Sequence, residues 1–285
     1  MGPAGPRTVD KYYKAWSLPS GGGRMAEYET IKVERDEDIL WITLNRPHRL
    51  NAFNDVMVME LSDALDRAEE DPGVRCVIII GEGDRAFSAG ADVTMFPKLT
   101  PQKAVDASRL GQEVFSKVES MSKPVIAAIN GYALGGGLEL ALACDFRIAA
   151  EHAELGNPEI RLGILPGWGG TQRLVRLVGL AKAKEIVLLG DRIPAEEALK
   201  IGLVNKVVPF EKLREEARAL AKRLCEGPPL AIKYAKWLLN FGTQAPLDIG
   251  LRLESGIFGV LFTTKDMREG IEAFMSKRKP EFKGE

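Results

Sequence analysis

Apolar positions first alternate and then run together where the regular part of the chain begins. Ile31 and Val33 alternate with polar residues, and Ile39-Leu-Trp-Ile-Thr-Leu44 follows before Arg46-Pro47; both stretches read as strands. Over residues 51–70 the period changes, with Met57, Leu61, Ala64, Leu65 and Ala68 at helical spacing ahead of an Asp71-Pro72-Gly73 stop. The stretch 74–80, with Cys76-Val-Ile-Ile-Ile80 continuous, has the pattern of a strand buried on both faces. A helix is expected over about 101–121, a strand over 124–129, a short helix over 138–143 and a strand over 146–149. From Thr171 onward the signals are nearly all helical: 171–178, 195–201, 210–225, 229–240, 246–262 and 265–277. Strand and helix alternate first and helices alone follow, which predicts an α/β core over 25–194 and a helical C-terminal subdomain over 195–285.

The first 24 residues stand apart, rich in glycine and proline, with Arg7, Lys11, Lys14 and Arg24 against the single acid Asp10. They lack the apolar segment of a secretory signal, are expected to be poorly ordered, and carry no weight in the fold argument. Cytoplasmic placement is the expectation, or the mitochondrial matrix if this segment is a transit peptide. A net charge of −1 argues against a dedicated nucleic-acid binder. No run approaches the ~18 apolar residues that span a bilayer. Cys76, Cys144 and Cys225 are too few and too scattered for a disulfide framework or a zinc site, and buried packing is their expected role. Only His48 and His152 are present, so histidine-based triads and multi-histidine metal sites have little to draw on. Both are expected on the surface or in loops.

Chemistry concentrates in three turns rich in small residues. Phe87-Ser-Ala-Gly-Ala-Asp92 would expose the backbone N–H of Ala91. Gly131-Tyr-Ala-Leu-Gly-Gly-Gly-Leu-Glu139 places glycines at the mouth of a helix, where each costs about 1 kcal/mol relative to alanine. There the N–H of Gly136 would meet an anionic oxygen at the positive end of the helix dipole, and Gly137 is expected to accept a methyl group. No Gly-Lys-Ser/Thr follows, so this is not a phosphate loop. Leu155-Gly-Asn-Pro-Glu159 opens the third turn, and its apolar surroundings are expected to raise the pKa of Glu159 into a useful acid/base range. Each turn alone also has a plainer reading, a tight packing connection for the first two and a charge at a helix N-terminus for Glu159. Two peptide donors and two carboxyls together are the parts needed for catalysis through an enolate.

These residues together resemble the enoyl-CoA hydratase/isomerase, or crotonase, family. The matching pieces are Leu50-Asn51-Ala52, the turn at 87–92, Lys123-Pro124 through Asn130-Gly131, Gly135-Gly-Gly-Leu-Glu139, Pro158-Glu159, Gly169-Gly-Thr-Gln-Arg173 and Arg268-Glu-Gly270. The resemblance runs from about residue 27 to the C-terminus. It implies a crotonase-like spiral of ββα units with a helical trimerisation region, assembled as a homotrimer or a homohexamer built from two trimers. It further implies that Ala91 and Gly136 supply the oxyanion-hole amides and that Glu139 and Glu159 are the acid/base pair. Ala89, Asp92 and Val93 would lie in the loop that holds the CoA adenine, and Phe258 and Lys277 would reach the CoA of a neighbouring subunit. Two positions depart from the pattern: Thr94 stands where many members have lysine, and Trp168 where a small residue is usual.

The activity implied is reversible syn hydration of a trans-2-enoyl-CoA to a 3-hydroxyacyl-CoA, with coenzyme A part of the substrate and no other cofactor. A hydratase for branched or dicarboxylic acyl-CoA, such as methylglutaconyl-CoA, would keep both glutamates. A Δ3–Δ2-enoyl-CoA isomerase needs only one carboxyl. An RNA-binding or structural homologue is the non-enzyme alternative, and no basic, aromatic-rich stripe supports RNA binding here.

Overall fold

The computed structural model describes residues 27–285; the segment 1–24 lies outside the described residues. The chain runs through β1 (Ile31–Asp36), β2 (Ile39–Leu44), α1 (Asp55–Glu70), β3 (Cys76–Gly81), β4 (Ala86–Ser88), α2 (Pro101–Ser120), β5 (Val125–Ile129), β6 (Tyr132–Leu134) and α3 (Gly136–Ala143). It continues through β7 (Phe146–Ala150), β8 (Glu154–Gly156), α4 (Gly170–Leu189), β9 (Ile193–Pro194), α5 (Ala195–Lys200) and β10 (Lys206–Val208). Four helices complete it: α6 (Leu213–Cys225), α7 (Pro229–Phe241), α8 (Leu247–Leu261) and α9 (Lys265–Met275).

These strands form two sheets. The larger has the order β1-β2-β3-β5-β7-β10 and the smaller β4-β6-β8-β9. The β1–β2 hairpin is antiparallel, and every later pairing in the large sheet is parallel. Each turn of chain therefore lays one long strand in the large sheet and one short strand in the small sheet, then returns through a helix or a turn. β3 and β4 are followed in this way by β5 and β6, then by β7 and β8, which is the expected spiral of ββα units. Asparagine side chains secure the corners where the chain changes sheet. Asn130 Oδ1 accepts from Gly81 N at 3.0 Å and its Nδ2 donates to Gly83 O at 2.7 Å, while Asn51 Nδ2 donates to Ala86 O at 2.7 Å. Such corners satisfy backbone groups that neither sheet can pair.

Period-two alternation explains why β2, β3 and β5 read as unbroken apolar runs. Leu40, Ile42, Val77 and Ile79 face a core shared with α1, α2 and α3, whereas Ile39, Trp41, Ile78 and Ile80 face α6 through Leu213, Ala217 and Ala221. Both faces are dry, so neither set of positions is polar. The polar cap of α1 is Asn54, whose Oδ1 accepts from Met57 N at 3.0 Å, and Thr100 caps α2. Cys76, Cys144 and Cys225 are buried as expected, and His48 and His152 are exposed. Among the described residues no helix is long and apolar enough to cross a membrane.

Three features depart from the sequence reading. The small sheet consists of strands of two or three residues, too short to show a period. The C-terminal part contributes a strand, β10, to the large sheet. Helix α4 runs well past residue 178, through a break at Gly179, which has φ 77° and ψ 163°.

A buried ion pair joins α7 to this core. Lys236 Nζ donates to Asp145 Oδ2 at 2.7 Å and to the carbonyls of Val118 and Lys123, both at 3.1 Å. Burial pushes the Asp145 carboxyl above its ordinary range, against the pull of the Lys236 ammonium. Removing one partner strands the other charge in a dry site, at about 3–5 kcal/mol. Lys236→Met is therefore expected to lower the unfolding free energy by roughly that amount. Lys222→Met, which breaks an exposed pair with Glu37, should cost less than about 1 kcal/mol. Urea unfolding of both variants checks this, and equal losses would refute the dominance of the buried pair.

Candidate active site

The ends of β4, β6 and β8 lie side by side, so the three turns singled out in the sequence meet. After β4 the chain passes through Gly90 at φ 99°. Phe53 N donates to Gly90 O at 2.8 Å and Asp92 N donates to Phe53 O at 2.7 Å. These bonds fix the turn from both sides and leave the N–H of Ala91 outside the bridge. After β6, Gly135 takes φ 50° and ψ −123°, which side chains rarely tolerate. Gly136 is then the first residue of α3, with no capping side chain, so its N–H has no acceptor in the preceding turn. A β-carbon on Gly90 would lie 3.2 Å from Gly136 N, and one on Gly136 would lie 3.5 Å from Ala91 N. The two amides are neighbours, in the arrangement that can hold one oxyanion.

Beside them stand the carboxyls. Glu139 sits in the first turn of α3 and is buried. Its Oε1 accepts two backbone hydrogen bonds, from Trp168 N at 2.8 Å and Gly170 N at 2.7 Å. Glu159 follows Pro158 in a single 3-10 turn, 158–162, that closes at Gly163 with φ 74°. The bond from Gly135 N to Gly156 O, 2.9 Å, draws that turn beside the glycines. A β-carbon on Gly135 would lie 3.1 Å from Glu159 Oε1. Asn157 Nδ2 reaches the same oxygen at 3.4 Å, whereas Glu159 Oε2 is buried with no protein partner.

Environment raises both acids. Burial is the main cause for Glu139, with the nearby Glu159 charge adding to it; the amides of Gly170 and Trp168 and the Arg173 guanidinium pull the other way. The outcome is a carboxyl pushed up to about 7. Burial also raises Glu159, in part offset by hydrogen bonds from its own backbone and from Asn157. The expectation of a raised Glu159 is met, and Glu139 is raised as well.

Several contributors escaped the sequence reading. The amides of Trp168 and Gly170 hold Glu139, and Arg173 holds their turn by donating to Trp168 O at 3.0 Å and to Glu119 Oε2 at 3.0 Å. The glycine turn before Thr171 was the available signal, but backbone donors leave no side-chain trace. The glycine run also divides its labour differently from expectation. The unusual backbone belongs to Gly135, while a side chain at Gly136 is barred by the Trp168 ring, whose Cζ3 would lie 2.7 Å from a β-carbon. Gly137 does not accept a methyl group, because a β-carbon there would overlap the carbonyl of Ser88.

The remaining candidates divide into two groups. Ala89, Asp92 and Val93 lie within two residues of Ala91. The Asp92 carboxylate is taken by Arg46 Nη2 at 3.1 Å and by Thr94 Oγ1 at 2.8 Å, so this stretch offers a ligand mainly backbone groups. Phe258, on α8, lines an apolar pocket with Leu230, Phe262, Met267 and Phe282, which contains none of the residues of the carboxyl site. Lys277 is exposed just beyond α9, with φ 53°.

Known proteins share this arrangement of chain. Residues 34–285 match the model of the family described as enoyl-CoA hydratase/isomerase. A crotonyl-CoA hydratase of Syntrophomonas wolfei is 47% identical over 255 residues, covering 90% of this chain and 98% of that protein. A short-chain-enoyl-CoA hydratase of Clostridium acetobutylicum is 42% identical over the same shares of each chain. The crystal structure of an enoyl-CoA hydratase from Bacillus anthracis superposes with a TM-score of 0.87 at 42% identity, covering 90% of this chain and all of that one. The chain belongs to the enoyl-CoA hydratase/isomerase family.

Proposed function

We propose that the protein catalyses reversible syn hydration of trans-2-enoyl-CoA thioesters to 3-hydroxyacyl-CoA. The observation that carries this reading is a buried carboxyl, Glu139, and a half-buried one, Glu159, beside two adjacent backbone amides, Ala91 and Gly136. The thioester oxygen accepts both N–H groups and takes up charge as water adds at C3. These donors are fixed by the fold and need no reorganisation as that charge develops. Glu139, whose Oε1 is held by two amides, orients the water and accepts its proton. Glu159, with Oε2 free of any protein partner, delivers a proton to C2 on the same face. Isomerisation needs one shuttling carboxyl, so the second raised glutamate favours hydration. Coenzyme A enters as part of the substrate, with residues 89–93 offering backbone groups to its adenine. The names of the relatives from Syntrophomonas and Clostridium support the same substrate class.

The reading extends to assembly. Helix α8 has no buried residue, although Leu247, Leu251, Phe258 and Val260 are at least half exposed on it. Leu180, Leu188 and Leu189 of α4 are exposed to a similar degree. Surfaces of this kind are usually covered by other subunits. A homotrimer, or a homohexamer of two trimers, would bury α8 and bring Phe258 and Lys277 to a neighbouring subunit's CoA.

Glu159→Gln and Glu139→Gln are each expected to fold and to lose about 10²–10⁴-fold in turnover of crotonyl-CoA, followed by loss of the conjugated thioester absorbance. Retention of half the wild-type rate by either variant would remove that residue from the mechanism.

Stability should move the other way in one of them. The Glu139 pKa of about 7 stands above its ordinary 4.5, so the folded protein keeps a proton that the unfolded chain has released at intermediate pH. This contribution is fully present below about pH 4.5 and is lost as pH rises through about 7. Glu139→Gln removes the titration, and above pH 7 the variant is expected to be more stable than wild type by up to about 3 kcal/mol. Urea unfolding at pH 5 and about pH 8 tests it; a difference independent of pH would contradict a buried, unfavourably charged Glu139.

Sedimentation of the full chain is expected to show a trimer or hexamer at micromolar concentration. A stable, fully active monomer would rule out both the assembly and the cross-subunit roles of Phe258 and Lys277.

A further inference from the structure

We infer that the indole of Trp168 closes the acyl end of this site and restricts the enzyme to short acyl chains of crotonyl size. The inference rests on the hydratase reading and adds a specificity-determining residue to it. The backbone and the side chain of Trp168 do different things. Its N–H holds Glu139 Oε1 at 2.8 Å, which any residue but proline at this position could do. Its ring turns back over the amide pair, with Cζ3 and Cε3 lying 2.7 and 2.8 Å from where a β-carbon of Gly136 would stand.

The position of the ring relative to the substrate follows from the site. An acyl carbonyl held by Ala91 and Gly136, with C3 presented to the Glu139–Glu159 pair, must extend its C4 and later carbons past the neighbourhood of Gly136 and Glu139. The six-membered ring of the indole occupies that neighbourhood. The ring also has no room to retreat. Behind it, a β-carbon on Gly111 would overlap Cδ1 and Cγ of the indole. Gly111 is buried within α2, where glycine is a poor helix former, and its lack of a side chain is what admits the ring. Phe115 and Phe53 meet the indole edge to face, with centroids 5.4 and 5.7 Å away and interplanar angles of 87° and 76°. Both phenylalanines are buried. A well-packed wall of this kind resists being pushed aside by a longer chain.

A fixed wall discriminates by size, and one methylene too many in such a pocket changes kcat/KM by about 10–200-fold. The experiment measures kcat/KM for trans-2-crotonyl-, hexenoyl-, octenoyl- and decenoyl-CoA with the wild type, Trp168→Ala, Trp168→Leu and Trp168→Phe. The wild type is expected to fall at least tenfold between crotonyl- and octenoyl-CoA. Trp168→Ala should raise the octenoyl-to-crotonyl ratio at least tenfold, with Leu and Phe between, because the amide bond to Glu139 survives each substitution. If Trp168→Ala does not fold, as judged by thermal melting, the Leu and Phe variants decide. A wild-type profile flat across the series, or variants that lose all substrates by one common factor, would overturn the role given to Trp168 and leave it a packing residue. Failure of the wild type to hydrate any of the four thioesters would instead overturn the hydratase reading.

Discussion

The site depends on one interaction, the double hydrogen bond from the amides of Trp168 and Gly170 to a single oxygen of Glu139. A carboxylate this deeply buried would be strongly disfavoured without charge-assisted donors. Those donors lie in the turn before α4, so meeting the needs of Glu139 also joins α4 to α3. Arg173 braces the same turn from the other side through Trp168 O and Glu119. Neither helix could move without exposing or stranding the acid. The arrangement therefore couples the holding of a buried carboxyl, raised by its burial, to the packing of the middle of the chain.

The spiral makes such a site possible. Because β4, β6 and β8 are neighbours in one small sheet, the segments that follow them emerge at one edge although they are far apart in sequence. The large sheet, dry on both faces, holds the turns of the spiral in register. Rigid support matters more here than loop adaptability, since misplaced amides or carboxyls lose most of their effect.

Much of this was legible in the residues, and what was not has a physical reason. β2, β3 and β5 appeared as apolar runs because both of their faces are buried, and α1 appeared because one of its faces is. The small sheet was invisible, since strands such as Ile193–Pro194 carry too few residues to alternate. At the site, Glu139, Glu159, Ala91 and Gly136 stood out through the small-residue turns around them, and the structure brings all four together. The holders of Glu139 did not stand out, because every residue except proline has an N–H. The three consecutive glycines could not be told apart in sequence either: Gly135 serves an unusual backbone geometry, Gly136 lies under an aromatic ring, and Gly137 packs on Ser88. Only contacts separate these reasons.

The break at Gly179 has a mechanical consequence for α4. A continuous helix transmits the direction of its axis, so a shift at one end is felt at the other. With non-helical dihedrals at Gly179, the ladder of hydrogen bonds is interrupted and the two halves are oriented separately. The first half is aimed by Glu139 and Arg173, while the second carries Leu180, Leu188 and Leu189 on an exposed surface. The direction of that outer segment is therefore set at the glycine and not by the donors at the foot of the helix.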